Sequence, residues 1–324
     1  MNRRLMCASL VAVGVLGISS AAAATEYPAR PVKLIVPFAA GGSTDLLARV
    51  IGRAFEQAGG KPFVVENVGG AGATLGTARV ADAAPDGYTL LLGSSSALVI
   101  APHLYPKLRY DPRTSFEPIG KVATASFVLM TRAGSGIDSY AQLVARARAE
   151  PGRLNYGSPG TGSALHLAIG LMLDQAGLKA VHVPFTGTAP VYTALLGGNV
   201  DFMVDSPSGA VPMVKSGKTV ALAVTSRTRE RELPQVPTLQ ELGLSNFDIT
   251  AWFVMMAPKG TPPSALTWLK QKLAEALKQP DVRSAMTAAG FVPVDMPETV
   301  GADIVREYER WGREIEKSGV KLDK

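Results

Sequence analysis

The residues in this chain best suited to chemistry sit in glycine-rich junctions between strands and helices. Val36-Pro37-Phe38-Ala39-Ala40-Gly41-Gly42-Ser43-Thr44-Asp45 runs from an apolar strand through paired glycines into a helix. Gly41 and Gly42 let the backbone turn tightly and approach a ligand closely. The helix opens at Ser43, Thr44 or Asp45, each a good N-cap, and its first N–H groups lack intrahelical acceptors and welcome an anion. An ordinary strand-turn-helix junction with a satisfied cap has the same pattern. Phe38 either shields a crevice from water or belongs to the core.

Leu154-Asn155-Tyr156-Gly157-Ser158-Pro159-Gly160-Thr161-Gly162-Ser163-Ala164-Leu165-His166 repeats this geometry later in the chain. Ser158, Thr161 and Ser163 offer hydroxyls, Gly162 and its neighbours offer backbone donors, and His166 falls in the first helical turn as a ligand contact or a packing residue. Further junctions place Thr188 at a helix start after Val183-Pro184-Phe185, and Ser94 after the strand ending Leu92-Gly93. Asp205, after Val204, either accepts a hydrogen bond from a ligand or caps the helix that begins near Ser208. Ligands of open α/β sheets bind outside the carboxyl ends of the strands, where all five loops fall.

Enzyme motifs fail on the same residues. Gly70-Ala71-Gly72-Ala73-Thr74-Leu75-Gly76 misses the dinucleotide spacing G-x-G-x-x-G by one residue, and no Walker sequence occurs. Gly157-Ser158-Pro159-Gly160 has the wrong register for a nucleophile elbow. The histidines His103, His166 and His182 form no metal-spaced pair. No cofactor or metal is therefore expected, although a catalytic triad assembled from distant segments stays open, because triads are spatial.

Short β-branched runs alternate with amphipathic stretches, the pattern of parallel strands joined by crossover helices. Strands are expected at Val32–Phe38, Pro62–Val68, Thr89–Gly93, Phe127–Thr131, Leu154–Gly157, Val181–Phe185, Val200–Val204, Val220–Thr225 and Trp252–Ala257. Helices are expected at Thr44–Gln57, Thr74–Ala84, Ser139–Ala149, Ser163–Ala176 and Pro190–Leu196. The last quarter holds three helical segments, Pro262–Lys278, Asp281–Ala289 and Pro297–Lys317, expected to pack back on the first lobe. Thr225–Gly243 reads as a proline-punctuated surface loop ending in a short helix, with Arg227, Arg229 and Arg231 on a solvated face. The expected division is residues 25–125 plus 250–324 as one lobe and 126–249 as the other.

The N-terminus combines Arg3 and Arg4, the apolar stretch Leu5–Ile18 and the small residues Ser19–Ala24, which is the pattern of a secretory signal peptide cleaved after Ala24. The lone cysteine, Cys7, lies in that segment, so the mature chain has neither disulfides nor thiol chemistry. It contains no second long apolar run, and a soluble product is expected. Arg3 and Arg4 account for two of the six net positive charges. The rest are spread without a basic, aromatic-interleaved stripe, which argues against nucleic acid.

The chain resembles the solute receptors of tripartite tricarboxylate transporters, the Bug receptor family. The matching segments include Tyr27–Pro31, Ile35–Phe38 with Gly41–Asp45, Glu66-Asn67 with Gly70–Gly72, Asn155–Ser158 with Gly160–Ser163 and His166, Val183–Phe185, Gly197-Gly198, Leu222–Ser226, Leu233–Thr238 and Trp252. The resemblance implies a two-lobed type II periplasmic binding fold, with a mixed doubly wound sheet in each lobe and a helical C-terminal segment, closing on a small carboxylate. It assigns Ser43, Thr44 and Asp45 to one carboxylate-binding loop and Ser158, Gly162, Ser163 and His166 to the facing loop, with Thr188 and Asp205 as weaker carry-overs. Ala39-Ala40 departs from the many relatives with proline at the second position.

The expected partners are a di- or tricarboxylate, acidic amino acid or aromatic acid, and membrane permease subunits. A monomer is expected. A sensory protein of the same fold, signalling through a membrane partner, would have the same sequence features, and a secreted hydrolase acting through Ser158 would show turnover.

Overall fold

Strands covered on both faces read as unbroken apolar runs. Val32–Val36 (β1) is such a run, buried at every position but Lys33. The computed structural model describes residues 27–59, 61–295 and 300–318; the secretory reading of residues 1–24 lies outside the described residues. In the first sheet β1 is parallel to both β2 (Phe63–Asn67) and β3 (Thr89–Ser94). An antiparallel β10 (Ala251–Pro258) follows β3, then β4 (Phe116–Ala125) and β11 (Val292–Pro293), giving the order β2-β1-β3-β10-β4-β11.

The second sheet has the order β7-β6-β8-β5-β9. Its strands are β5 (Val128–Arg132), β6 (Asn155–Ser158), β7 (Val181–Pro184), β8 (Phe202–Asp205) and β9 (Thr219–Val224). Strands β7, β6 and β8 run parallel, and β5 is antiparallel to both β8 and β9. Two mixed sheets flanked by helices make this the expected α/β architecture.

Helix α1 (Ser43–Gly59) buries Leu47, Ala48, Ile51, Ala54 and Phe55, an amphipathic stripe at helical spacing, in one cluster with Leu34 and Val36 of β1. Leu269 and Leu273 of α8 (Pro263–Ala276) and Met286 of α9 (Pro280–Ala288) join the same cluster. The last helix, α10 (Val300–Ser318), does more than pack on the first sheet. Its Trp311 and Ile315 also share a buried cluster with Leu167 of α5 (Ala164–Ala176), so it bridges the two sheets.

Several elements escape the sequence pattern. β4 was not expected, because Pro118 and Gly120 interrupt its apolar run; its pairing with β10 shifts register between Met255 and Met256, opposite Gly120 and Pro118. Proline is tolerated in a strand at such an irregularity. A π turn at Ser96–Ile100 runs into α3 (Ala101–Leu104), and α7 (Pro207–Lys215) forms despite an internal Pro212. The segment Thr225–Gly243 ends in one hydrogen-bonded turn instead of the expected short helix. Thr238 and Glu241 bond each other's backbone N–H groups there, and Gly243, at φ +100°, stops the turn.

The chain crosses between sheets at Ser126–Phe127 and returns through residues 225–250. Thr225, 1% exposed, joins the two crossings: its Oγ1 accepts from the Phe127 N–H at 2.9 Å and donates to the Ile249 carbonyl at 2.6 Å. Its own N–H donates to the Phe127 carbonyl and its carbonyl accepts from the Ile249 N–H. Thr225→Val keeps the shape but leaves a buried N–H without an acceptor. It is expected to lower stability by about 1–3 kcal/mol in thermal unfolding, and Thr225→Ser to recover most of it; a valine variant melting like the wild type would show that the clasp contributes nothing.

Candidate functional site

The junction after β1 is shaped by Asp45. Gly41, at φ +81°, turns the chain so that its N–H donates to Asp45 Oδ2 at 2.9 Å, and Arg49 Nε donates to the same oxygen at 3.0 Å. Burial works to raise the Asp45 carboxyl, but the Arg49 and Gly41 bonds outweigh it and hold it below the ordinary carboxylate range. Gly42 is exposed, and its carbonyl accepts the Leu46 N–H. Thr44 is buried in the first turn of α1. Asn67 Nδ2 donates to the Phe38 carbonyl at 3.2 Å, tying the end of β2 to the same loop.

The junction after β6 is organised by two stacked imidazoles, His166 and His182, with centroids 3.8 Å apart. Ser158, fully buried, places its hydroxyl 2.7 Å from His182 Nε2 and 3.1 Å from the Gly160 carbonyl. His166 Nδ1 accepts the Gly162 N–H at 3.0 Å, and Ser163 caps α5 by accepting the His166 N–H at 3.2 Å. Gly162 and His166 therefore shape the loop through each other. The first-turn N–H groups of Ala164 and Leu165 have no intrahelical acceptor. Tyr156 is core, stacked on both histidines and Phe202.

These loops meet across a crevice of about 300 Å³ between the two sheets. Of the residues expected from the sequence, Phe38 lines it from the first sheet, and Thr161, Gly162 and Ser163 from the second. Gly42, Ser43, Thr44, Asp45 and Ser158 are not among its lining residues. Thr188 starts α6 (Thr188–Leu196), half-buried and outside the lining. Ser94 is 2% exposed with its hydroxyl unbonded at the end of β3. Asp205 does not cap α7: its carboxylate accepts from the Tyr192 hydroxyl at 2.9 Å and the Ser206 N–H at 2.8 Å.

Ser96, in the serine run that begins at Ser94, also lines the crevice, and lining residues absent from the sequence expectation include Gly72, Ile100, Leu104 and Tyr105. Gly72 belongs to the Gly70–Ala73 segment, where four successive residues have positive φ; its glycines were a visible signal. Tyr105 had none. Among the described residues no group of histidine, cysteine and carboxylate side chains could hold a metal ion. None of their helices is long and apolar enough to cross a membrane.

Comparison with known proteins supplies the frame for this geometry. Residues 47–320 match the sequence model described as Tripartite tricarboxylate transporter family receptor. The chain belongs to this receptor family. It is 37% identical over 321 residues to Protein BugT of Bordetella pertussis, covering 98% of each chain. The periplasmic binding protein BugD is similar in structure, with a TM-score of 0.79 at 36% identity over 92% of this chain and 100% of that one. MatC from Rhodopseudomonas palustris with bound malate has a TM-score of 0.77 at 34% identity, over 89% of this chain and 100% of that one. The tripartite tricarboxylate receptors are periplasmic binding proteins that take small carboxylates and work with the membrane components of a transporter.

In this receptor two buried groups titrate abnormally and oppositely. Burial, with the His182 ring alongside, drops His166 from 6.5 to about 4, so the ring stays neutral and free to accept the Gly162 N–H. Burial pushes Asp205 from 3.8 up to about 6, against the bonds from Ser206 and Tyr192. The His166 contribution to stability is present above pH 6.5 and is lost as pH falls through about 4. The Asp205 contribution is present below pH 3.8 and is lost as pH rises through about 6. Relative to wild type, the melting temperature of His166→Asn should therefore rise as pH is lowered from about 6 to 4. That of Asp205→Asn should fall over the same interval, and three parallel curves would refute the assignment.

Proposed function

We propose that this receptor captures a small carboxylate between its lobes, residues 25–125 with 250–324 and residues 126–249, and delivers it to the membrane components of a tripartite tricarboxylate-type transporter without chemical turnover. The observation that carries the reading is the crevice in which Thr161, Ser163 and the start of α5 face Phe38 from the other sheet. Hydroxyls and first-turn amides suit a carboxylate. Each charge-assisted hydrogen bond contributes about 1.5–3 kcal/mol, so a few in a water-poor crevice reach the roughly 8 kcal/mol of micromolar binding. The malate bound to MatC supports the same ligand chemistry here.

On this reading Gly42, Ser43 and Thr44, outside the crevice lining, join Asp45, Ser158, Gly162, His166 and Asp205 in holding loop shapes. Ser94, buried at the end of β3, and Thr188 lie outside the crevice lining. Ser158 and His182 have the hydrogen bond of a nucleophile–base pair, but Ser158 is fully buried and no carboxylate among the described residues bonds His182. Its hydroxyl is shut off from any substrate, which favours binding over hydrolysis. The signal-peptide pattern at residues 1–24 supports delivery to the periplasm.

A thermal-shift screen of the mature protein against carboxylates tests the proposal, because a ligand that binds only the folded state raises the melting temperature. Binding carboxylates should raise it, and Thr161→Val should weaken them about tenfold, the loss of one charge-assisted bond. If a sugar or a cation shifts the melt and no carboxylate does, the reading fails.

A further inference from the structure

We infer that the crevice selects a carboxylate with an aromatic body and a hydroxyl at its far end, a hydroxybenzoate-like acid, in preference to a short dicarboxylate. The inference rests on the carboxylate reading above and concerns the other half of the same crevice. Its polar donors are concentrated on the second-lobe wall, at Thr161, Ser163 and the α5 start. The first-lobe wall is largely apolar, made by Phe38, Ile100, Ala101 and Leu104, with hydroxyls at Ser96 and Tyr105.

No lysine or arginine lines the crevice; Arg49, in the neighbouring helix, is held by Asp45. A second carboxylate pushed against Phe38 and Leu104 would lose water without gaining a counter-charge, which is strongly unfavourable. A ring loses nothing there and gains apolar contact. At about 300 Å³ the space is at the small end of ligand pockets, matched to one ring and its substituents.

Besides Ser96, the polar side chain on this wall is Tyr105. Its hydroxyl sits beside Gly72, where even a methyl group would stand 3.0 Å from the oxygen. That hydroxyl has no hydrogen-bond partner among the described residues, whereas the hydroxyl of Tyr110, the next tyrosine along, is bonded to the Ala97 carbonyl. Burial raises the Tyr105 phenol above its usual range, so it remains protonated and able to donate at any physiological pH. Gly72 is part of the run of positive φ from Gly70 to Ala73, in which Ala71 and Ala73 hold a conformation unfavourable to side-chain-bearing residues. Strain of that kind persists where surrounding structure imposes it, commonly beside ligands.

Titration calorimetry of the mature protein and its Tyr105→Phe variant with 4-hydroxybenzoate, benzoate and malate tests this. In the wild type 4-hydroxybenzoate is expected to bind about two- to tenfold more tightly than benzoate, the contribution of one neutral hydrogen bond, and malate at least about tenfold more weakly than either. Tyr105→Phe should erase the difference between the two aromatic acids, and a melting temperature equal to that of the wild type reports that the variant is folded. Malate binding more tightly than both aromatic acids would overturn the inference and leave the carboxylate reading intact. An aromatic preference that survives in Tyr105→Phe would overturn the role of Tyr105. Failure of all three acids to bind would overturn the inference, and the carboxylate screen above then decides separately whether the broader reading falls with it.

Discussion

The geometry of this receptor depends on one threonine. Thr225 uses its hydroxyl and both backbone groups to join the outgoing crossing at Phe127 to the returning crossing at Ile249. Two chain segments far apart in sequence thereby become a single hydrogen-bonded unit. The carboxyl ends of β1 and β6 belong to different sheets, and their loops face one another because this unit sets how the sheets meet. Helix α10, which buries Trp311 and Ile315 in one cluster with Leu167 of α5, adds a second tie between the elements of the two sheets.

Charge plays a quieter part than the residue types suggest. Asp45, His166 and Asp205 are each buried; Asp45 and His166 are engaged by groups within four residues, and Asp205 by Tyr192 of α6 and the Ser206 N–H. They hold backbone in place, and the donors left facing the crevice are hydroxyls and helix-start amides. Such donors are fixed before a ligand arrives, so little ordering accompanies binding. They also recognise the carboxylate and leave the remainder of the ligand to the opposite wall. Within one scaffold, changes at positions such as Phe38, Leu104 and Tyr105 can then alter the ligand without disturbing the anion-binding loop.

The opposing titrations of His166 and Asp205 follow from the same burial. Removing an imidazole from water favours its neutral form, and removing a carboxyl favours its protonated form. His166 lies in α5 and Asp205 at the end of β8, and their effects on stability run against each other over one interval of pH. The loop that needs a neutral imidazole as an acceptor is thus kept in that state by its surroundings.

Much of this was legible in the sequence. The alternation of β-branched runs with amphipathic stretches foretold β1–β3 and β5–β10, because strands and helices buried in an α/β sandwich carry their periodicity in local residue order. The glycine-rich junctions at Gly41–Asp45 and Ser158–His166 stood out for the same reason, since a tight turn into a helix needs particular residues at particular places. What the sequence could not reveal depends on partners distant in the chain. β4 is a strand because β10 lies beside it and its register shift tolerates Pro118. Asp205 bonds Tyr192 and Ser206 and caps nothing; Ser158 is turned inward to His182. Tyr105 reaches the crevice because α3 packs beside the Gly70–Ala73 turn. Local order determines which loops can bind, whereas only packing between segments decides which side chains remain free to face a ligand.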